Sequence, residues 1–297
     1  MNIDNQGLVE GPFLFVVNPN SGTGGYKQFV NLTRSIQSVR KFDLVESQSP
    51  QHSVELAQKA ADHGYAAVVA VGGDGSVHEI GVQLIGTQTA LGIIPTGSGN
   101  GIARHLGLSL QVGVAIREML IGKTRTIDTL TVNNEKAIGF CGIGFDAHVA
   151  NLFDKATERG FSNYVKLTMD AFNDYEATEF QMCSTNHNKT IKAFTVILAN
   201  INQFGNNAQI NPKAIDDDGL FELVAVTPFP VTSFPSMASR LFMKSFHKSK
   251  FVSTEKLSEV VIKNPGNALL QIDGEPRGCV DQIKVEIAPK SLNVIIP

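Results

Sequence analysis

The stretch AAVVAVGGDGSVHEIGV, residues 66–82, sets Asp74 between glycines just where an apolar run ends. Glycine permits positive φ and close backbone approach, and main-chain N–H groups at a helix start attract anions. Two other turns share this character, NPNSGTGG (18–25) and PTGSGNG (95–101). Each follows an apolar run and opens a helical pattern, so the three together describe a phosphate cradle. A carboxylate beside a polyphosphate is repelled unless a cation bridges the two or a proton has to be moved. Asp74 therefore points to magnesium-dependent phosphoryl chemistry. The alternative is a turn aspartate that caps the following helix, since Asp and Ser are good N-caps. The turns match neither common phosphate motif: no GxxxxGK[ST] occurs, and the third glycine of G-x-G-x-x-G is replaced by Lys27 in the first turn and Ile102 in the third. Lys27 is either a phosphate contact or a solvated helix lysine.

These turns need strands and helices to hold them. FLFVV (13–17), KFDLVES, AAVVAV and ALGIIP read as strands, with helical spacing in YKQFVNLTRSIQSV, SVELAQKAADHG and SVHEIGVQLIG between them. Strand–helix alternation with continuously apolar strands predicts a parallel sheet covered on both faces. In such sheets ligands bind beyond the carboxyl ends of the strands, where the three turns fall. From about Thr126 the pattern changes. IDTLTVN, KAIGFCGIGF, KAFTVILANI, LFELVAV, SEVVIK, ALLQID, IKVEIA and LNVIIP are short strands separated by turn residues, as in an antiparallel sandwich. Helical segments interrupt them near FDKATERGFSNYVKLTMDAF and FPSMASRLFMKSFHK. The fold class is thus an α/β domain with a parallel sheet followed by an antiparallel β-sandwich, the change of pattern setting the boundary near 125–127.

Composition narrows the partners. The 297 residues carry a formal charge of −3, so no basic field indicates a nucleic acid. Three scattered cysteines with no CxxC suggest neither a zinc site nor a disulfide framework. The start, MNIDNQGLVEGP, lacks a basic n-region and an apolar h-region, and no apolar run approaches a spanning helix. The expectation is a cytoplasmic protein, with peripheral contact at the inner membrane surface left open.

VVAVGGDGSVHEI followed by LGIIPTGSGNGIARHLG resembles the diacylglycerol kinase catalytic domain superfamily, which includes bacterial lipid kinases, sphingosine kinases and ceramide kinases. NPNSGTGG resembles its first nucleotide loop, and IGFDAHVA (143–150), DDDGLFELV (216–224) and LLQIDGEP (269–276) its later signatures. The resemblance implies an N-terminal nucleotide domain related to NAD kinases, a C-terminal β-sandwich, a last strand that returns to the first domain and an active site in the cleft between domains. It is the resemblance alone that implies that about 288–297 joins 1–125, leaving 126–287 as the second domain. It implies ATP and Mg²⁺ as cofactors and a lipid alcohol at a membrane surface as substrate. It suggests no protein partner and leaves a homodimer open. Matched residue by residue, the ATP contacts would be Asn18, Pro19, Asn20, Ser21 and Gly22; Ser47; Gly72, Gly73, Asp74, Gly75, Ser76, Val77 and His78; and Ser98. Asp273 and Glu275 are candidates for the base that takes the lipid hydroxyl proton, and Asp74 could share that role. Period-2 geometry would put Asp273 and Glu275 on one face if the strand continued, whereas Asp-Gly alone reads as a hairpin turn. A structural Mg²⁺ or Ca²⁺ would sit at Asp218 with main-chain oxygens near Ile215 and Leu220, although DDDG alone is a solvated turn.

The chain departs from the family pattern. GGDGSVHE has Ser76 and His78 where bacterial diacylglycerol kinases usually carry threonine and asparagine, and Gly101 stands where they carry an acid. Asp146 matches a position near the lipid headgroup of sphingosine kinases, where a carboxylate meets an ammonium; its other reading is structural. These departures lean toward a sphingoid-type or otherwise unusual lipid alcohol, with a diacylglycerol-like acceptor left open. His78, on a helix N-terminal turn that disfavours its protonated form, is either a neutral nucleotide-facing imidazole or a structural histidine. Arg104 is either a phosphate contact or one half of a surface ion pair. In FPSMASRLFMKSFHKSK (234–250), Arg240, Lys244 and Lys248 form a basic row beside apolar Phe234, Met237, Leu241 and Phe242. That row suits an interfacial helix drawn to anionic lipid, or a helix packed on the sandwich. An NAD kinase and a nucleotide-binding module without turnover are the alternatives to a lipid kinase.

Overall fold

The computed structural model describes residues 9–21, 25–36, 42–157, 160–184, 188–264 and 266–297. The chain divides into two compact units, Met1–Ile127 with Lys290–Pro297, and Asp128–Pro289.

The first unit alternates strands and helices: β1 (Phe13–Val17), α1 (Gly25–Ile36), β2 (Phe42–Glu46), α2 (Pro50–Asp62), β3 (Ala67–Gly72), α3 (Asp74–Leu84), β4 (Ala90–Pro95), α4 (Gly101–His105), α5 (Val112–Ile121) and β5 (Lys123–Val132). The strand order β2-β1-β3-β4 is parallel throughout. Every residue of β1, β3 and β4 is buried, which is why these strands read as unbroken apolar runs rather than alternating ones. α2 begins at a true cap: Ser49 accepts from the His52 N–H at 3.1 Å, with Pro50 in the first turn. α3 starts at Asp74, two residues before the apolar pattern shows it. Its anchors Ile80 and Leu84 are fully buried. Truncating either would cost about 2–5 kcal/mol, so the helix that carries Asp74 cannot shift cheaply.

The second unit contains β6 (Glu135–Ala137), β7 (Phe140–Gly144), α6 (Phe145–Lys155), α7 (Phe161–Phe172), β8 (Thr178–Cys183), β9 (Asn188–Ala193), β10 (Thr195–Ala199), β11 (Phe221–Val226), α8 (Phe234–Phe242), β12 (Val252–Leu257), β13 (Glu259–Lys263), β14 (Leu269–Ile272), β15 (Glu275–Cys279) and β16 (Gln282–Ile296). One antiparallel path runs β16-β13-β8-β9, and a second sheet runs β12-β11-β10-β7-β14-β15. Their facing side chains, among them Phe180, Met182, Ile143, Leu198, Phe221, Leu223, Ile262, Ile272, Ile283 and Val285, form one core. IKVEIA and LNVIIP belong to a single strand, β16, whose residue Val294 pairs in parallel with Leu91 of β4 in the first unit's sheet.

Three local differences from the sequence reading bear on function. α6 begins at Phe145, so Asp146 lies in the first turn of a helix rather than at a strand end. LLQIDGEP is not a continuous strand: β14 stops at Ile272, Asp273 (φ +47°) and Gly274 (φ +88°) form the turn, and β15 starts at Glu275. A two-residue loop with both φ values positive is the favoured hairpin connection, so Asp273 and Glu275 do not share a strand face. The basic segment is not one helix either. α8 ends at Phe242, Lys244 takes φ +55°, and the Ser245 N–H bonds the Arg240 carbonyl at 3.0 Å. That is a Schellman-type stop. A 3₁₀ turn at Phe246–Lys248 follows, and the predicted row of Arg240, Lys244 and Lys248 along one helix face does not form.

Candidate active site

The three glycine-rich turns follow β1, β3 and β4, which are neighbours in the sheet, and they are bonded to one another. Asn18 Nδ2 donates to Ser76 Oγ at 3.0 Å, joining the first turn to the second. The Ser21 and Thr96 hydroxyls lie 2.7 Å apart, joining the first to the third. The Thr96 N–H donates to the Gly72 carbonyl at 2.9 Å, and the Ile102 N–H to Asp74 Oδ1 at 3.3 Å. Two glycines serve this assembly directly: a Cβ on Gly97 would lie 2.5 Å from Gly73 Cα, and one on Gly73 would lie 3.2 Å from Gly97 Cα. Part of the glycine signal thus reflects backbone packing of one turn against another, which fixes the cradle before any ligand arrives.

The predicted nucleotide residues have distinct places in this platform. Asn18 makes an Asx turn, its Oδ1 accepting from the Asn20 N–H at 2.9 Å across Pro19, and Ser21 Oγ donates back to the Asn18 carbonyl at 3.0 Å. Gly22 lies outside the described residues. Ser47 is buried at the end of β2, and its hydroxyl lies 3.3 Å from the Val17 carbonyl. Gly73 caps α3 in an extended conformation, Asp74 and Gly75 are half-buried, and Ser76, Val77 and His78 are buried. Ser98 is exposed at the tip of the third turn. Arg104 Nε donates to the Gly99 carbonyl at 3.1 Å and so braces that turn.

Sequence reasoning passed over Asn100 and Thr96. Asn100, in the left-handed region at φ +52°, closes the third turn with both ends of its amide: the Gly97 N–H bonds its Oδ1 at 3.1 Å and its Nδ2 donates to the Gly97 carbonyl at 2.7 Å. Asparagine after Gly-Ser-Gly was the available signal, since it tolerates that conformation best among non-glycines.

In the second unit the acids are tied to the main chain. Asp273 is buried, and its carboxylate accepts from the N–H groups of Ile138 (2.8 Å), Gly139 (2.8 Å) and Phe140 (2.9 Å). Three of roughly four carboxylate acceptor positions are therefore engaged by backbone. Glu275 is exposed at the start of β15. Gln271, which the sequence reading missed, joins predicted Asp146 to the Asp273–Gly274 turn: its Nε2 donates to Asp146 Oδ2 at 2.9 Å, and its Oε1 accepts from the Gly274 N–H at 2.7 Å. A polar residue inside the apolar run LLQI was the clue.

Asp146 is enclosed. Thr195 donates to its Oδ1 and Gln271 to its Oδ2, and a Cβ on Gly142 would collide with it. Burial lifts the Asp146 carboxyl above the usual carboxylate range, opposed by the Thr195, Gln271 and main-chain hydrogen bonds. Burial, and then the Asp146 charge, raise the phenols of Tyr164 and Tyr175, the latter to about 12. Rings of Phe145 and His148 pack against Tyr175 with centroids 5.2 and 5.4 Å away.

The residues expected to hold a structural metal meet a lysine. Asp218 Oδ1 accepts from the Leu220 N–H at 3.1 Å, while its Oδ2 pairs with Lys256 Nζ at 2.6 Å. The same ammonium lies 3.7 Å from Glu222, and burial raises the Glu222 carboxyl against that nearby positive charge. The loop is pinned by Asp128, which accepts from the Gly219 N–H at 2.7 Å and donates its own N–H to the Asp216 carbonyl at 2.6 Å. Among the described residues no group of three or more His, Cys, Asp or Glu is placed to hold a metal. As arranged, the Asp218 loop carries a lysine counter-charge at Asp218 Oδ2.

Residues 12–132 match the diacylglycerol kinase catalytic domain, and residues 139–296 match the YegS C-terminal NAD kinase beta sandwich-like domain. The chain belongs to the YegS-like lipid kinase family. Within it, the chain is 32% identical over 231 residues to a Chromohalobacter salexigens protein named "Probable lipid kinase YegS-like", covering 75% of this chain and 74% of that one. It is 25% identical over 252 residues to lipid kinase YegS of Escherichia coli strain K12, covering 82% and 83%. A solved structure of a diacylglycerol kinase from Bacillus anthracis superposes with a TM-score of 0.76 at 16% identity, covering 97% of both chains, which establishes the shared fold. No described helix is long and apolar enough to cross a membrane.

Proposed function

We propose that the protein transfers the γ-phosphoryl group of ATP to the hydroxyl of a neutral, diacylglycerol-like lipid. The observation that carries the nucleotide half is the bonded platform of three turns with Asp74 at its centre. Its N–H groups, at the starts of α3 and α4, favour the negative charge of a polyphosphate. A bound divalent ion would supply charge neutralisation between phosphate oxygens and Asp74, whose oxygen-only chemistry suits magnesium. The chain's own residues bind and orient: Asn18 and Ser21 hold the first turn, Gly73 and Gly97 hold the second against the third, and Asn100 closes the third. Phosphoryl transfer draws most of its acceleration from such positioning and from electrostatics.

The acceptor half rests on Asp146. Both of its oxygens accept hydrogen bonds inside the second unit, and burial disfavours its charged form. It offers no exposed carboxylate to an ammonium, which favours an acceptor without an amine over the sphingoid base that the sequence departures suggested. Asp74, Asp273 and Glu275 remain the candidates for taking the hydroxyl proton, and their surroundings give them different signatures on substitution.

The test is phosphoryl transfer from γ-labelled ATP and Mg²⁺ to diacylglycerol, sphingosine, ceramide and NAD, each offered separately to purified protein. Label in phosphatidate supports the proposal. Preferential labelling of sphingosine overturns the acceptor assignment, label in NADP overturns the lipid assignment, and nucleotide binding without turnover overturns both.

A further inference from the structure

The chain carries 28 acidic residues, yet none falls between Glu222 and Glu255. That span folds over on itself. α8 leaves through the left-handed Lys244, and the 3₁₀ turn at Phe246–Lys248 brings the chain back so that Ser249 Oγ donates to Met237 Sδ at 3.1 Å. The return borders an open surface pocket of about 310 Å³ lined by Arg240, Lys248 and Lys250 together with Ser233, Ser236, Met237 and Phe251. The sequence row of basic residues fails as a helix face, but two of its members meet again across this pocket. The lining holds three cations and no carboxylate, in a protein whose formal charge is −3. Among the described residues no ion pair engages these three side chains: Arg240 Nη1 reaches only the Ser245 carbonyl at 3.4 Å, and Lys250 Nζ stands 5.0 Å from the Phe251 ring centroid. Nearby, His247 is pushed below its ordinary range by burial first, then by the charges of Lys213 and Lys248.

Large apolar side chains stand exposed in the same segment: Val231 (59%), Phe242 (45%) and Met243 (72%). Cations and hydroxyls around a headgroup-sized pocket, with apolar residues exposed next to it in sequence, are the two components of an interfacial lipid site. We propose that this pocket binds the phosphate of an anionic phospholipid headgroup and docks the protein on negatively charged membranes, with Val231, Phe242 and Met243 entering the acyl boundary. Arginine and lysine supply the charge and the fork geometry that phosphate recognition uses, and the serine hydroxyls supply further donors.

The test is sedimentation with phosphatidylglycerol–phosphatidylcholine vesicles against phosphatidylcholine alone, without nucleotide, so that its failure leaves the phosphotransfer assignment intact. The Arg240→Gln, Lys248→Gln, Lys250→Gln triple variant should bind the anionic vesicles on the order of 100-fold more weakly at low salt, about fivefold per charge. A control of equal charge change at exposed lysines elsewhere, Lys59→Gln, Lys192→Gln, Lys263→Gln, should lose far less. Met243→Ser should weaken vesicle binding further without changing its salt dependence. Equal binding by the pocket triple and the control triple overturns the proposal. So does tight calorimetric binding of inorganic phosphate that the pocket triple abolishes while vesicle binding persists, because the pocket would then serve a soluble anion.

Discussion

Asp74 and Asp273 are both aspartates in glycine-bearing turns at the end of a strand, yet the two units use them in opposite ways. In the first unit Asp74 is half-buried at the start of α3 and accepts from the Ile102 N–H at 3.3 Å, in a platform whose turns are also joined through Asn18 and Ser76, Ser21 and Thr96, and Thr96 and Gly72. In the second unit Asp273 is buried and its oxygens are what hold residues 138–140 in place. A carboxylate whose turns are also held by other bonds can lose its charge at less cost to the fold than one that closes a main-chain loop through three N–H groups. Asparagine at each position should expose the contrast. Asp74→Asn should lower turnover by about 10³-fold, the scale for losing one preorganised charge at a reacting centre, while melting within a few degrees of wild type. Asp273→Asn turns one acceptor into a donor facing backbone N–H groups, and should cost about 3 kcal/mol of unfolding free energy whatever its effect on turnover. Denaturant midpoints and initial rates on both variants check the pair. The comparison breaks if Asp74→Asn unfolds as early as Asp273→Asn.

Asp146 sharpens the same contrast through pH. Its folded-state carboxyl is raised by burial, so the fold prefers the protonated form. The corresponding stabilisation is complete below the unfolded value near about 3.9 and is lost as pH rises through the folded value. Over that window wild-type stability should fall relative to Asp146→Asn, with a slope of up to about 1.4 kcal/mol per pH unit. Urea midpoints of the two proteins across mildly acid pH give the difference directly. A flat difference would mean that Asp146 is not desolvated.

The platform was legible in the sequence because parallel strands bring their carboxyl ends to one edge, so three βα turns far apart in the chain must lie together. Knowing the topology was enough to group Asn18, Asp74 and Ser98. The second unit offered no such rule. Asp273 finds its partners 133 to 135 residues away, and Gln271 reaches Asp146 across 125. In antiparallel sheets these meetings depend on strand order and register, which local pattern does not encode. β8, β9, β12 and β15 were missed for a related reason: they keep polar side chains in water and lack the continuous apolar signal of a central strand, and all but β8 end their sheets. The hairpin at Asp273 was readable from Asp-Gly alone, and the continuous-strand alternative failed because positive φ at both turn residues ends the pairing.

Lys256 supplies the smallest effect and separates two explanations of the Asp218 loop. Resemblance alone places a divalent ion there, but the structure brings an ammonium from β12, opposite Glu222 in register, to within 2.6 Å of Asp218. The lysine side chain is 42% exposed, so the pair is screened, and Lys256→Met should cost only about 0.5 kcal/mol. The informative measurement is the response to ions. If the lysine neutralises the loop, wild-type melting should be the same in excess EDTA as in Mg²⁺ or Ca²⁺. In Lys256→Met, Asp218 and Glu222 lose their shared counter-charge, and added Ca²⁺ should then raise the melting temperature. A wild-type melting temperature that drops with chelator would return the metal to Asp218 and make Lys256 a bystander, because a group that binds only the folded state must stabilise it.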